Sequence, residues 1–598
     1  MSRNEPLAAD GRFALFDRDE GGALLFSVWC RTHHLDDAGA PGALFAKLDA
    51  ELAAGRWVAL AADYELGGCF RLRTAPVLTS RALLRAWVFE RAERLDAQAL
   101  DNWLAARVAA LPEDQRVAGV GELCAAVDAR SHAAKVGQVC RWIADGDCYQ
   151  INLTFPLTFR LYGHPLVLYQ RLRERQPVRY GAYLAVGAET ILSFSPELFF
   201  ERCASRVLTR PMKGTAERGR TPAEDEAQRV ALLSSAKERA ENIMIVDLLR
   251  NDLGRLAQAG QVRVEALCEA EAYPTLWQLV SSVSAELPGA SLADLFGALF
   301  PCGSITGAPK VRAMQRITEL EDAPRGLYTG ALGWVAPSGD CRFNVAIRTI
   351  ELGSAGQARL GVGSGIVAEA EAAREYAECL LKARFLTDFD PGFELVETLR
   401  LEGGSYPLLP LHLQRLQASA HSLGFSCALP SLSSALAREA AERPGGIFRV
   451  RLTLAHDGRY GISSSLLAEQ PGGPRTAVLA SEALSANDFL LRHKTTARAR
   501  YDRALAALAA RPEVFDAIFL NGRGEVCEGA RSNVFVERAG RLLTPPVDCG
   551  LLPGVFRRHL LEGGRAVEQV LRLADLRQAS CLYLGNALRG LVPVSLAG

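Results

Sequence analysis

"GVGSGIVAEAEAAREYAECLLKARF", Gly361 to Phe385, reads as a strand, a glycine turn and a helix running from about Ala372 to Leu386. The glycines are spaced G-x-G-x-G, not the G-x-G-x-x-G of a dinucleotide-binding βαβ unit, so the stretch does not point to that fold. A glycine turn feeding a helix N-terminus would still present backbone N–H groups to an anion. On the helix, Glu375 and Glu378 are three residues apart and Lys382 is four beyond Glu378, so all three share a face. "TDFDPG", Thr387 to Gly392, then breaks the pattern, and "FELVETLRL" opens a new strand. This is the clearest domain boundary, near residue 390, with a larger unit before it and a smaller one after it.

Working outward, 598 residues imply about three to five domain-sized units. The 68 basic and 68 acidic side chains cancel, and no basic block or stripe occurs, which excludes an electrostatic nucleic-acid binder. No apolar run reaches the ~18–20 residues of a membrane span, and "MSRNEPLAADGRF" has no secretory core. The 14 cysteines are scattered singly without a C-x-x-C pair, which fits reduced thiols and a cytoplasmic location.

Upstream, "KERAENIMIVDLLRNDLGR" (Lys237–Arg255) reads as a helix with Ile243, Val246 and Leu249 on its buried stripe and Glu238 and Glu241 on one face. The two glutamate pairs can be read as solvated faces, worth only a few tenths of a kcal/mol per ion pair. They can equally be read as two helices aiming carboxylates at one hard cation such as Mg²⁺; spacing alone leaves both readings open. In "TRPMKGTAERG" (Thr209–Gly219), Lys213 lies between Pro211-Met212 and Gly214-Thr215. The order K-G-T is not a Walker loop. By itself the stretch reads as a punctuated turn with a solvated lysine.

Eight motifs in order alter that reading: "IADGDCYQINLT" (143–154), "SFSPELFF" (193–200), "RPMKGT" (210–215), "AENIMIVDLLRNDLG" (240–254), "FPCGSITGAPKVRAM" (300–314), "RGLYTGALG" (325–333), "FNVAIRT" (343–349) and "GSGIV…EYAECLLKA" (363–383). Together they resemble the chorismate-utilising family of anthranilate, aminodeoxychorismate, isochorismate and salicylate synthases. The resemblance covers roughly residues 115–387 and implies a large two-sheet α/β sandwich, with residues 1–114 as its opening part and 115–389 as the chorismate-binding domain. It also implies Mg²⁺ held by Glu241 and Glu378, with Glu238 and Glu375 behind them. Arg348 and Tyr328 would bind the pyruvyl carboxylate, and Gly214, Thr215 and Thr306 would line the substrate site. Lys382 and the Gly363/Gly365 turn would lie beside the ring carboxylate. Ala370 stands where the family usually has Ser. At the position of Lys213, anthranilate synthases usually carry Ala and aminodeoxychorismate synthases Lys. The resemblance makes Lys213 a nucleophile at C2 of the ring and Glu197 the acid that protonates the departing 4-hydroxyl. A free lysine is almost fully protonated at neutral pH, so burial and a neighbouring cation, Arg210 or the metal, are expected to favour the neutral amine. Gln150 replaces the lysine with which isochorismate-type members activate water.

Past residue 390, "FLLRHKTTARARYDRAL" carries Lys494 and "FLNGRGEVCEGARSNVF" carries Glu528. With "LLPLHLQRLQASAHSLGF" (408–425), "LLTPP" (542–546), "GLLPGVFRR" (550–558) and "LGNALRGL" (584–591), they resemble the fold-type IV pyridoxal-phosphate enzymes, over about 393–595. The resemblance implies an α/β unit of two subdomains over 390–598. Lys494 would hold pyridoxal 5'-phosphate as a Schiff base and shuttle protons, and Glu528 would keep the pyridine nitrogen protonated. Arg415, the Gly554-Val555 helix start and Asn586 would meet the phosphate. Phe556 stands where a Thr or Ser is usual.

Joined, the two resemblances imply that chorismate and ammonia give 4-amino-4-deoxychorismate, which then loses pyruvate to leave 4-aminobenzoate for folate. Fusion would raise the effective concentration of the intermediate at the second site. No glutaminase motif is read in the sequence, so ammonia is expected from a separate glutamine amidotransferase subunit or from solution, with a homodimer through the pyridoxal-phosphate unit as a further expectation. Two other readings remain open: an anthranilate synthase fused to an aminotransferase, and a non-catalytic sensor of chorismate or pyridoxal phosphate.

Overall fold

A computed structural model describes residues 11–18, 21–35, 41–70, 82–273, 276–468 and 475–597. Among them the chain forms two compact α/β units. The first takes the chain to Val108, then Cys124–Phe159 and Leu168–Thr387; the second takes Ala109–Leu123, Arg160–Val167 and Asp388 onward. The sequence reading placed boundaries at 114 and 389. The change of unit at Asp388 lies beside the "TDFDPG" breaker, whereas residues 109–123 and 160–167, although they hold Pro112, Gly163 and Pro165, were read as part of the larger unit. No described helix is long and apolar enough to cross a membrane.

The first unit is built on one long antiparallel sheet with two arms diverging from strand Phe13–Asp17. One arm passes through Ala182–Val186, Glu189–Ser193 and Thr349–Leu352 to the glycine strand Gln357–Ile366 and on to Gln150–Tyr162. The other passes through Ala23–Leu35, Leu84–Leu95, Trp57–Ala62, Ala331–Val335, Cys341–Val345 and Leu198–Cys203. It ends on Arg206–Arg210, Leu276–Glu286 and Met212–Glu217. Alternation along these strands sends Val58, Leu60 and Ala62 into one core with Phe199, Phe200, Phe296 and Phe343, and Ala59 and Ala61 into another with Trp87 and Phe89.

Three local expectations change. Lys213 is in a strand, Met212–Glu217, not a turn; its register against Leu276–Glu286 slips between Met212 and Thr215, where Gly214 takes φ +82°. A bulge of this kind re-aims the neighbouring side chain. Gly361, Gly363 and Gly365 are likewise inside strand Gln357–Ile366, none with a left-handed φ, so there is no glycine turn at the helix entry. Their role is close approach: a Cβ on Gly361 would fall 2.0 Å from the Tyr328 ring and one on Gly363 2.7 Å from the Leu153 carbonyl oxygen. Finally, helix Ala372–Lys382 stops at Lys382, and Arg384–Thr387 is a separate short turn.

Helix Ala236–Gly254 is capped by Ser235, whose hydroxyl accepts the Glu238 N–H. It buries Asn242, Ile245, Val246, Leu249 and Leu253, while Ile243, expected inside, is 39% exposed. One residue on a helix turns the side chain by about 100°, enough to carry Ile243 off the edge of that stripe.

The second unit joins a three-stranded antiparallel sheet, Leu395–Glu402, Ile447–Leu454 and Tyr460–Leu466, to an eight-stranded mixed sheet. In the larger sheet Val526–Gly529 pairs with both Val514–Leu520 and Asn533–Arg538, which closes part of it into a ring. Leu395, Leu399, Leu401, Val450, Leu452 and Leu454 face helix Leu409–Leu423, and Tyr162 completes that core.

Candidate active sites

The two arms of the first unit meet at Lys213. A Cβ on Gly365 would lie 2.1 Å from Gln150 Nε2 and 3.7 Å from Lys213 Nζ, so a side chain there would fill the space in front of the amine. Gln150 is buried. Burial lowers the pKa of Lys213; Glu241 and Glu197 oppose this, and Lys382 adds to it. The nearby cation is therefore Lys382, while Arg210, expected in that role, hydrogen-bonds to Tyr180 and pairs with Glu271.

Glu197 is 4% exposed and accepts a 2.7 Å hydrogen bond from the Ser304 hydroxyl. Burial pushes its carboxyl up to about 7, with Ser304 and Lys213 pulling the other way. A carboxyl with that pKa retains its proton near neutrality and can give it to a leaving oxygen. Ser304 is in the quoted "PCGSITGAP" motif, yet spacing gave no sign that it would donate to Glu197.

The four glutamates come from the two helices named above. Gly214 packs against Glu238, for a Cβ there would fall 2.9 Å from its Oε2. Burial and the neighbouring Glu241 raise the Glu238 carboxyl; burial and Glu378 raise Glu375. Lys382 bonds Glu378 at 2.7 Å and the Gly363 carbonyl at 2.8 Å. Among the described residues no three His, Cys, Asp or Glu side chains form a cage on their own. Mg²⁺ usually takes one or two carboxylates and completes its shell with water and substrate oxygens, so these mutually repelling oxygen donors suit that ion.

Arg348 has φ +49° and is held low in pKa by burial, with no carboxylate partner among the described residues. A half-buried guanidinium with no carboxylate beside it suits an anion. Tyr328 is buried beneath Gly361. Thr306 is buried and donates to the Cys302 carbonyl at 2.8 Å, and Thr215 bonds Gln278 at 3.0 Å.

In the second unit a cavity of about 1110 Å³ is lined by Lys494, Glu528, Arg415 and Gly554. Lys494 is anchored by its carbonyl, which accepts the Val396 N–H at 2.8 Å. Burial and the Arg415 cation bring its amine down to about 8. Glu528 is buried and pushed up to about 7; its two oxygens accept from the Tyr501 hydroxyl at 2.6 Å and the Leu552 N–H at 3.1 Å. Each oxygen keeps a lone pair for a further donor.

Arg415 forks onto Glu397 at 2.8 and 2.6 Å, and its remaining Nη1 is 3.5 Å from the Pro553 carbonyl, beside the Gly554 N-cap of helix Val555–Glu562. Glu397 is buried, also bonded to His412 at 2.6 Å, and lowered to about 2, with Arg415 and His412 outweighing burial. Neither Glu397 of "VETLR" nor His412 of "LHLQRL" was singled out by spacing. Gly554 abuts Asn533, where a Cβ would fall 1.9 Å from Oδ1. Asn586 accepts from the Leu588 and Arg589 N–H groups and donates to the Arg531 carbonyl, so its amide shapes a turn on the cavity wall. Phe556 packs its ring against Gly585. The buried acid, the reactive lysine and the basic helix entry fit pyridoxal 5'-phosphate.

Comparison with known proteins places each unit in a family. The model of the chorismate binding enzyme family matches residues 46–388, and that of amino-transferase class IV matches residues 394–597. Aminodeoxychorismate synthase component 1 of Bacillus subtilis (strain 168) is 40% identical over 282 residues, 47% of this chain and 60% of the relative. Its namesake in Escherichia coli (strain K12) is 42% identical over 248 residues, 41% of this chain and 54% of the relative. Anthranilate synthase component 1 3 of Haloarcula marismortui is 41% identical over 255 residues, 42% of this chain and 50% of the relative. The chain thus spans between half and two thirds of the length of these relatives. Among solved structures, anthranilate synthase component I from Streptococcus pneumoniae TIGR4 shares the fold at a TM-score of 0.51 and 24% identity, over 64% of this chain and 93% of that one. The chain belongs to the chorismate binding enzyme family and carries a class IV aminotransferase domain after it.

Proposed function

We propose that the first unit aminates chorismate to 4-amino-4-deoxychorismate and that the second removes pyruvate from that product, leaving 4-aminobenzoate for folate biosynthesis. The observation that carries this reading is the Lys213 amine opposite Gly365, in the field of a buried Glu197 carboxyl. The Lys213 amine would bond to C2 of the ring as the 4-hydroxyl departs as water, taking its proton from Glu197. Ammonia would then bond at C4 and the C2–N bond would break, returning the lysine. Gln150 has no basic nitrogen with which to activate a competing water. Arg348 and Tyr328 would hold the pyruvyl carboxylate. Glu241 and Glu378, backed by Glu238 and Glu375, would hold Mg²⁺, which supplies positive charge for the ring carboxylate. Ammonia would come from a separate glutamine amidotransferase subunit, as the "component 1" in the relatives' names suggests.

In the second unit, pyridoxal 5'-phosphate supplies an electron sink when bound. Lys494 would hold it and move the proton from C4 of the substrate. Glu528 would face the pyridine nitrogen, and Arg415 with the Gly554-Val555 N–H groups would hold the phosphate.

The test is product analysis from chorismate, Mg²⁺ and ammonium. Wild type should give 4-aminobenzoate and pyruvate. Lys213→Ala should stop amination, and Lys494→Ala should accumulate 4-amino-4-deoxychorismate while chorismate use continues. Anthranilate as the main product would overturn the reading of the first unit. Normal 4-aminobenzoate formation by Lys494→Ala would overturn that of the second.

A further inference from the structure

The three-stranded sheet of the second unit presents a basic face to the cavity that holds Lys494. Alternation sends Leu395, Leu399, Leu401, Val450, Leu452 and Leu454 to the core behind it. The residues between them, Thr398, Arg449, Arg451 and Ser465, line the cavity. Arg449 stands directly across from Arg400, and Arg451 across from Thr398. Like charges opposite each other on a sheet repel; Glu402 pairs with Arg400 at 2.9 Å, which leaves the charge of Arg449, with that of Arg451 beside it, for an anion to answer.

The carboxylates on the same wall do not relieve it. Glu113 is paired with Arg503, Asp114 and Asp488 with Arg500, Asp502 with Arg498, and Glu528 accepts from Tyr501 and Leu552. Arg449, Arg451 and Arg589 have no carboxylate partner among the described residues. Arg589 comes from the turn after Asn586, half-buried and close enough to Arg531, Arg400 and Arg475 to feel their charge. The position relative to the reactive lysine follows from the sheet. The Lys494 backbone runs beside Leu395–Glu402, and Ile447–Leu454 lies on that strand's other side. Two strand spacings, about 10 Å, separate the two strands, and Arg451 lies two residues further along, opposite Thr398, where Lys494 lies beside Val396.

We propose that Arg449, Arg451 and Arg589 form a dicarboxylate subsite, so that the amine substrate held at Lys494 carries two carboxylate groups. Arg449 and Arg451, two residues apart on one strand face, take one carboxylate, and Arg589, on the turn whose Leu588 carbonyl accepts from Arg400, takes the other. This deepens the reading of the second unit given above, since a monocarboxylate amino acid with an apolar side chain would meet guanidinium groups where it needs hydrocarbon.

The full-length chain loaded with pyridoxal phosphate provides the test, with two readouts. Pyruvate release from supplied 4-amino-4-deoxychorismate should show KM raised at least about tenfold in Arg451→Gln and in Arg589→Gln, the size expected for losing a charge-assisted hydrogen bond. The absorption of the bound cofactor, which reports this cavity alone, is then followed on titration with benzene-1,3-dicarboxylate and with benzoate. Wild type should bind the dicarboxylate at least about tenfold more tightly, and both variants should lose that preference. Arg451→Lys, which keeps the charge and disturbs packing less, should retain part of it. If wild type releases no pyruvate, the proposed lyase reaction fails while the titration still decides the subsite. A cavity that binds benzoate as tightly as the dicarboxylate, or variants with wild-type KM, would overturn it.

Discussion

At the residue scale, the two lysines are made reactive in the same way. Each is taken out of water, so its neutral form is favoured, and each lies in the field of a buried glutamate near 7. Glu197 permits a signed prediction. Its pKa of about 7 lies above that of a free carboxyl, so the acid form is present below pH 7 and is lost as pH rises through 7. Glu197→Gln has no proton to lose. At constant free ammonia, the ratio of wild-type to Glu197→Gln amination rates should be flat below pH 7. It should then fall by up to about tenfold per pH unit above it. The variant itself should be slower by about 10²–10⁴-fold at pH 6. A ratio that does not change between pH 6 and 9 would show that Glu197 is not the acid. Lys213 and Glu197 were both legible in the sequence because each lies within a short contiguous motif. Ser304 and Glu397 were not, because what they do depends on a partner brought up from a distant part of the chain.

At the element scale, what matters is where strands and helices deliver small residues. Gly365 was read as part of a turn, and the strand shows instead that it is needed for lack of a side chain. Gly365→Ala would place a Cβ 2.1 Å from Gln150 Nε2, so the end of that buried side chain must move, and in van der Waals contact, 3.7 Å, with Lys213 Nζ. The site must shift to admit it, which in packed interiors costs about 1–3 kcal/mol. Amination should therefore fall by at least about tenfold, since a 1.4 kcal/mol loss in the transition state is a factor of ten. Pyruvate release from supplied 4-amino-4-deoxychorismate should stay at the wild-type rate, because the second cavity draws no residue from this strand. Parallel assays of the two reactions check this, and equal loss of both would point to misfolding. Periodicity could not distinguish the two roles of glycine, since a turn and a close approach leave the same gap in an apolar pattern. The same blindness hid the basic face of the second unit, for Arg-x-Arg in a strand reads simply as its solvent side.

At the scale of the whole molecule, the boundary near 390 was legible as a Pro/Gly breaker, whereas the membership of the second unit was not. Apolar alternation tells that a residue is buried but not in which core. Residues 109–123 and 160–167 belong to the second unit, and they contribute to it specifically. Tyr162 is 4% exposed, stacked on Phe489 at 5.9 Å and near Phe393 at 6.2 Å. Asp114 pairs with the buried Arg500, which also meets Asp488 at 3.2 Å. A fragment cut at the legible boundary, residues 388–598, would lack both. It would leave a cavity of aromatic size, costing about 3–5 kcal/mol, and would remove one of the two carboxylates that neutralise Arg500. The fragment loaded with pyridoxal phosphate should therefore lose its cofactor absorption at a lower urea concentration than the full chain. With m-values of about 1–3 kcal/mol per M, the midpoint should drop by at least about 1 M. In the full chain Tyr162→Ala should reproduce much of that drop while amination of chorismate continues. If the fragment melts at the full-chain midpoint, residues 109–123 and 160–167 are passive covering and the second unit is complete without them.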